Sequence, residues 1–253
     1  MGMCFQKVVT QTIKRVAGVA LFGLMVQAAI ASTEPANTAS ALLKPFEAVY
    51  YAYKWDDNLG SAKVSLEELS PGLYSLTYQS KVSKFFLSDK RFEHSIFTVD
   101  GDTITPQEYN YSRTGTGSDK SLQVTFNPGP PALINISDDD EQSQINWENE
   151  FDNQLYRLDL TVRLAQGISA LDYQFINYRG QQKHYGILVH GMEQLDLPYG
   201  SIEALKVEIE RDSSSRVTYA WFAPDLNYQL VRLQQFKDGD EQGDLRLKAF
   251  AAK

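Results

Sequence analysis

After Pro45, apolar residues recur with a period of two, and each such run ends within about ten residues at a turn signal. That rhythm leaves room for short antiparallel strands and little else. "FEAVYYAYKW" (46–55) sets Phe46, Ala48, Tyr50 and Ala52 on one side and Val49, Tyr51, Tyr53 and Trp55 on the other. Bulk on both faces suits a strand covered on each side. "DDNLG" turns the chain, and "SAKVSLEEL" alternates with Ala62, Val64 and Leu66 inward. After "PG" (71–72), "LYSLTYQSKV" puts Tyr74, Leu76, Tyr78 and Val82 on one face. "FEHSIFTV" (92–99), the tight turn "DGD" (100–102) and "TITPQEYNYS" continue the pattern. Pro106 in the last of these favours an edge or an interruption, because proline cannot donate to a ladder.

The same alternation runs through "SLQVTF", "ALINI", "LDYQFINY", "KHYGILVHG", "MEQLDL", "ALKVEIER" and "VTYAWFA", and two further runs close the chain. One segment departs from it. "EFDNQLYRLDLTVRLAQG" (150–167) carries Phe151, Leu155, Leu158 and Val162 at helical spacing, with Gly167 as a stop. The pattern predicts one domain over 45–253, mainly β, as a single antiparallel sheet with one covering helix. Residues 32–44, small and polar, are expected to form a flexible leader.

The first residues follow different rules. Lys7, Lys14 and Arg15 precede the apolar run "VAGVALFGLMV" (16–26), and Ala29 and Ala31 sit where a signal peptidase prefers small residues. We expect residues 1–31 to be a signal peptide, cleaved near Ala31, and the remainder to act in the periplasm. The single cysteine, Cys4, lies in that segment, so the mature chain is expected to have no disulfide or cysteine-ligated metal. The net charge of the whole chain is -8, and it becomes more negative once the basic signal residues are removed. Such acidity disfavours nucleic acid as a partner.

"YSRTGTGSDKS" (111–121) looks at first like a phosphate loop. The residue before Lys120 is Asp119, however, where a P-loop requires glycine, and an alternating strand follows instead of a helix. We read it as a hairpin connection that binds no nucleotide. "DDDE" (138–141) lacks the glycine and terminal glutamate of a calcium loop and reads as a solvated turn. No G-x-S-x-G elbow is present. Of the three histidines, His184 and His190 are six residues apart, with Gly186 and Gly191 able to bend the strand between or beside them. Glu208 and Glu210 share a strand face as paired acids would, with Arg211 and Arg216 as ordinary charge partners. No residue set is assigned a catalytic or metal-binding role, and no cofactor is expected.

All fourteen tyrosines and all three tryptophans lie in the mature chain. Rings of this amphipathic kind suit the wall of a ligand groove as well as strand-on-strand packing. "VYYAYKW" and "YAWFAPDLNY" contain the strongest candidates, and Tyr50, Tyr53, Trp55, Tyr219 and Trp221 are expected to wall any cavity.

The ordered set "PFEAVYYAYKWDDNLGSAKVSLEE", "DKRFEHSIFTVDGDTITPQEYNYSRTG" and "LDLPYGSIEALKVEIERDSSSRVTYAWFAPDLNYQLVRLQ" resembles the DUF3108 family of exported bacterial envelope proteins. The resemblance spans nearly all of 45–250 and transfers no catalytic residue. In general plan it is similar to exported carriers and sensors whose sheet is strongly curved, an incomplete barrel. From the signal pattern, the missing catalytic motifs and the aromatic content together, we expect a non-enzymatic periplasmic protein that binds or senses a lipid or other amphipathic ligand. Contact with other envelope proteins, without a small ligand, is the alternative, and a hydrolase is a more distant one.

Overall fold

The computed structural model describes residues 38–139, 141–211 and 215–253. The expected signal peptide, and residues 32–37 of the expected leader, lie outside the described residues. From Thr38 the leader segment is docked. Its short helix α1 (Ala39–Leu42) is capped by the Thr38 side chain, and Ala39 and Leu43 are buried in the main core.

The alternation becomes fifteen strands in one sheet. Successive hairpins link β1 (Phe46–Lys54), β2 (Asp57–Ser70), β3 (Leu73–Lys84), β4 (Leu87–Asp100) and β5 (Thr103–Gly115). β6 (Lys120–Asn127), β7 (Leu133–Asp138) and β8 (Gln142–Asn146) carry the meander to one edge. The chain then makes β9 (Phe151–Asp152), the helix α2 (Leu155–Ala165) and β10 (Leu171–Ile176). β11 (Gln182–Leu197), β12 (Gly200–Arg211), β13 (Arg216–Ala223), β14 (Gln229–Lys237) and β15 (Asp240–Ala252) complete the sheet. β15 pairs with β1, so the two runs of hairpins join in the middle.

The expectation of a strongly curved sheet or incomplete barrel under one helix is corrected here. Among the described residues the order runs from β8 at one edge to β9 at the other, with no ladder between them, so the sheet is open, and two α-helices accompany it. Local chemistry explains why the edges do not pair. The Glu150 carboxylate collects the N–H groups of Glu148 and Asn149 and turns the chain out of the ladder. β9 is then only two residues long and runs parallel to β10. A two-residue edge offers almost nothing to another strand.

Burial follows the predicted faces. In β1, Phe46, Ala48, Tyr50 and Ala52 are buried, as are Ala62 and Leu66 in β2. Pro106 is not at an edge. It sits in β5, between two partners, and a bulge there pairs Ile96 with Glu108 but Phe97 with Pro106. The bulge lets an interior strand tolerate the missing donor. "KHYGILVHG" and "MEQLDL" merge into the single strand β11, and His190 is the extra residue of a bulge between Val189 and Gly191. The "GTG" stretch is the expected hairpin: Arg113 pairs with Lys120. Gly115 is required for close approach, since at φ 135° a Cβ would lie 2.3 Å from the Ser88 carbonyl oxygen.

α2 lies within the segment of helical spacing. Asp152 caps it, its Oδ1 accepting from the N–H groups of Gln154 at 2.8 Å and Leu155 at 2.9 Å. Leu155, Leu158 and Val162 enter the main core, whereas Tyr156, Leu160 and Leu164 pack with Phe175, Val207 and Phe222 in a second cluster. Between these two apolar stripes runs a polar one, made by Arg157 and Thr161 four residues apart, with Asn153 just before the helix.

The antiparallel order sorts the turns into two groups. The turns at Trp55–Asp56, Phe85–Phe86, 177–181 and Asp238–Gly239 lie at one end of the strands, here the Trp55 end. The turns at Pro71–Gly72, Gly101–Asp102 and 224–228, with Phe46 and Phe250, lie at the other, the Phe46 end.

Candidate functional site

A cavity of about 630 Å³ lies against α2 and the sheet face that carries Tyr50. This is within the roughly 300–1,000 Å³ of small-molecule sites. Strand parity explains its walls: Leu66, Leu76 and Tyr78 project from β2 and β3, and Leu233 and Leu245 from β14 and β15. At the Phe46 end, Leu42, Leu43, Phe46, Leu226 and Phe250 make the lining mainly apolar, with Lys44, Asn227 and Gln229 as polar members. Toward the Trp55 end it is polar, with Arg91, Arg179, Lys183, His184, Arg211 and Arg216.

The polar stripe on α2 faces this space: Arg157 and Thr161 line it, as does Asn153 just before the helix. Arg157 lies over the Tyr156 ring, 5.3 Å from its centroid, and Arg211 over the Tyr185 ring at 4.8 Å. The two rings meet edge-on at 6.0 Å, so two guanidinium groups flank one aromatic pair. Burial opposes the charge of Arg157, but Tyr156 and the Glu93 carboxylate outweigh it, and its pKa is held above the ordinary arginine value. Glu93 is buried and accepts from the Tyr109 hydroxyl at 2.8 Å and from Asn153 Nδ2 at 2.7 Å. Deeper in, the Tyr50 hydroxyl donates to the Leu230 carbonyl at 2.7 Å and accepts from Gln229 Nε2 at 3.0 Å. Burial drives the Tyr50 pKa up, which keeps this phenol neutral.

Of the five aromatic residues expected to wall a cavity, Tyr50 lines this one. Tyr53, Tyr219 and Trp221 occupy the opposite face, where cations cover them. Arg246 lies 4.5 Å from the Tyr53 ring centroid, Lys206 4.8 Å from that of Tyr219 and Arg232 4.9 Å from that of Trp221. Trp221 is 3% exposed and donates from Nε1 to Glu193 at 2.8 Å. Tyr219 also borders a second, more open depression. Trp55 is 58% exposed at the β1–β2 turn.

Of the titratable residues singled out in the sequence, the structure brings His190 and Glu208 together and leaves His184 and Glu210 apart from them. His190 Nε2 pairs with Glu208 at 3.0 Å on the face away from α2, and His184 lies 3.7 Å from Asp172. Glu210 approaches Gly186. Among the described residues no three His, Cys, Asp or Glu side chains come together as a metal site would require.

Arg157, Arg211, Glu93 and the Tyr156–Tyr185 pair were not singled out by sequence. Parity marks Arg211, which continues the inward series Val207, Ile209. Four-residue spacing marks Arg157.

No curated protein matches the chain. Among solved structures, it is similar in fold to a β-barrel-like protein of the DUF1849 domain of unknown function from Brucella abortus. The TM-score is 0.60 at 8% identity, over 83% of this chain and 98% of that one. Weaker likenesses are to a protein described as exported, with a YmcC-like fold, from Bacteroides fragilis (TM-score 0.33, 11% identity, 83% and 96% covered) and to one described as a lipoprotein from Parabacteroides distasonis (0.34, 12%, 83% and 96%). Residues 48–246 match the family described as "Protein of unknown function (DUF3108)". With nearly all of its strands inside that match, the chain belongs to the DUF3108 family.

Proposed function

We propose that the protein is a non-enzymatic envelope protein that is exported to the periplasm, loses residues 1–31, and holds a lipid or other amphipathic ligand in the cavity against α2. The observation that carries this reading is the cavity itself, with leucine and phenylalanine at one end and polar groups at the other. A hydrocarbon seated there would take the leucine and phenylalanine walls out of water, which is favourable. The test is binding of the neutral apolar fluorophore N-phenyl-1-naphthylamine. Wild-type protein is expected to bind it near 1:1, and Thr161→Trp, which places a ring in the cavity, to bind at least about tenfold more weakly with an unchanged far-UV circular dichroism spectrum. Equal binding by both proteins, or none by either, sinks the reading.

A second reading, contact with another envelope component, is favoured by one observation. The β3–β4 turn presents Phe85 and Phe86, 91% and 89% exposed, beside Leu87 at 51%. Large apolar side chains so fully in water mark interaction sites. Replacing Phe85 and Phe86 by serine is expected to abolish site-specific crosslinking from position 84 to any envelope component. Unchanged crosslinks would remove this reading.

A further inference from the structure

We propose that the cavity takes an anionic amphiphile, its charged head group held by Arg157 and Arg211 and its hydrocarbon directed toward the Phe46 end. The inference rests on the reading of the cavity as a binding site and adds the class of ligand.

Charge is distributed against the trend of the molecule. The chain has 32 acidic and 24 basic residues, yet the described residues lining the cavity include seven Lys or Arg and one carboxylate, Glu93. Four of the basic residues, Lys44, Arg91, Arg179 and Arg216, are exposed, and Arg91 is already paired with Asp89 at 2.8 Å. Arg157 and Arg211 are different. Each is partly buried, each is placed by a tyrosine ring, and neither forms an ion pair among the described residues. Nε and Nη1 of Arg211 are buried, and no described protein group accepts from them.

Buried guanidinium donors normally find acceptors, because leaving them unmade is costly. Glu93 does not serve Arg211; its hydrogen bonds come from Tyr109 and Asn153. A phosphate, sulfate or carboxylate head group would supply oxygens matched to the fork of an arginine. A small anion by itself would leave the Leu42, Phe46 and Phe250 end empty, whereas an alkyl chain fills it. The same lining disfavours a cationic amphiphile, which would meet like charge on both arginines.

The test is calorimetric titration of the folded protein, below micelle-forming concentrations, with dodecyl phosphate, dodecyl maltoside, dodecyltrimethylammonium and inorganic phosphate. Dodecyl phosphate is expected to bind about ten- to a hundredfold more tightly than the maltoside. Arg157→Gln with Arg211→Gln should remove that preference. Equal affinity for the three dodecyl compounds, or preference for the cationic one, overturns the anionic head group while leaving the cavity reading standing. Inorganic phosphate binding as tightly as dodecyl phosphate overturns the amphiphile in favour of a small-anion site. Failure of every dodecyl compound to bind overturns both. The wild-type comparison decides even where the double variant does not fold.

Discussion

Trp55 and Asp56 occupy the two-residue β1–β2 turn with φ of 51° and 64°, and Phe85 opens the β3–β4 turn with φ of 56°. Hairpins of this length favour asparagine and glycine there, since a left-handed residue with a Cβ costs about 1–2 kcal/mol. Replacing Trp55–Asp56 by Asn-Gly is therefore expected to stabilise the fold by roughly 1–2 kcal/mol, read as a higher urea midpoint. A lower midpoint would mean that the half-exposed Trp55 ring contributes more than its backbone costs. Asp152 sets a second residue-scale expectation. Burial pushes its carboxyl up to about 7, against the backbone N–H groups of Leu155 and Gln154 that pull it down. Between about pH 4 and 7 the folded protein thus holds a proton that the unfolded chain has released. The stability this gives is fully present below about pH 4 and is lost as pH rises through about 7. Asp152→Asn keeps an oxygen for both N–H groups, so it should gain on wild type by more than about 1 kcal/mol between pH 5 and 8. Parallel stability–pH curves for the two proteins would contradict this.

At the scale of elements, α2 separates what the sequence discloses from what it hides. Its existence is legible from Leu155, Leu158 and Val162, and its extent nearly so. Its double burial was hidden, because the second stripe, Tyr156, Leu160 and Leu164, serves a different cluster. Leu160 is fully buried, and Leu160→Ala is expected to cost about 2–5 kcal/mol. Leu188→Ala, at a residue 45% exposed on β11, should stay within about 0.5 kcal/mol. Chemical denaturation checks both, and comparable losses would show that α2 is peripheral to the fold. Parity made the strand faces of β1 and β2 readable residue by residue. It did not reveal the bulges at Pro106 and His190, since a bulge changes parity without any fixed residue signature. Arg211 was taken for a partner of Glu208 and Glu210, but Glu208 pairs with His190, and Arg211 points inward with Val207 and Ile209. Charge alone suggested a solvated strand end; only the register of β11 on β12, which sets Tyr185 opposite Arg211, gives it a ring to lie on.

For the whole molecule, the decisive fact is that an acidic protein concentrates arginine in one cavity, with Arg157 and Arg211 in no ion pair among the described residues, and sets apolar side chains at its far end. Neither strand pattern nor composition contains that information, because the lining comes from segments as distant in sequence as Leu42 and Phe250. The openness of the sheet was hidden for the same reason: it depends on β9 pairing with β10 and leaving β8 as an edge. The exposed aromatic turns of Trp55 and Phe85 share the end of the strands at which Arg211 and Arg216 line the cavity. Native mass spectrometry of the protein, purified gently from cells that make it and followed by organic extraction, tests the central claim most directly. The account predicts one stoichiometric, negatively charged amphiphile, absent from the Thr161→Trp variant. A bare protein mass for wild type, or an adduct that persists in the variant, would contradict it.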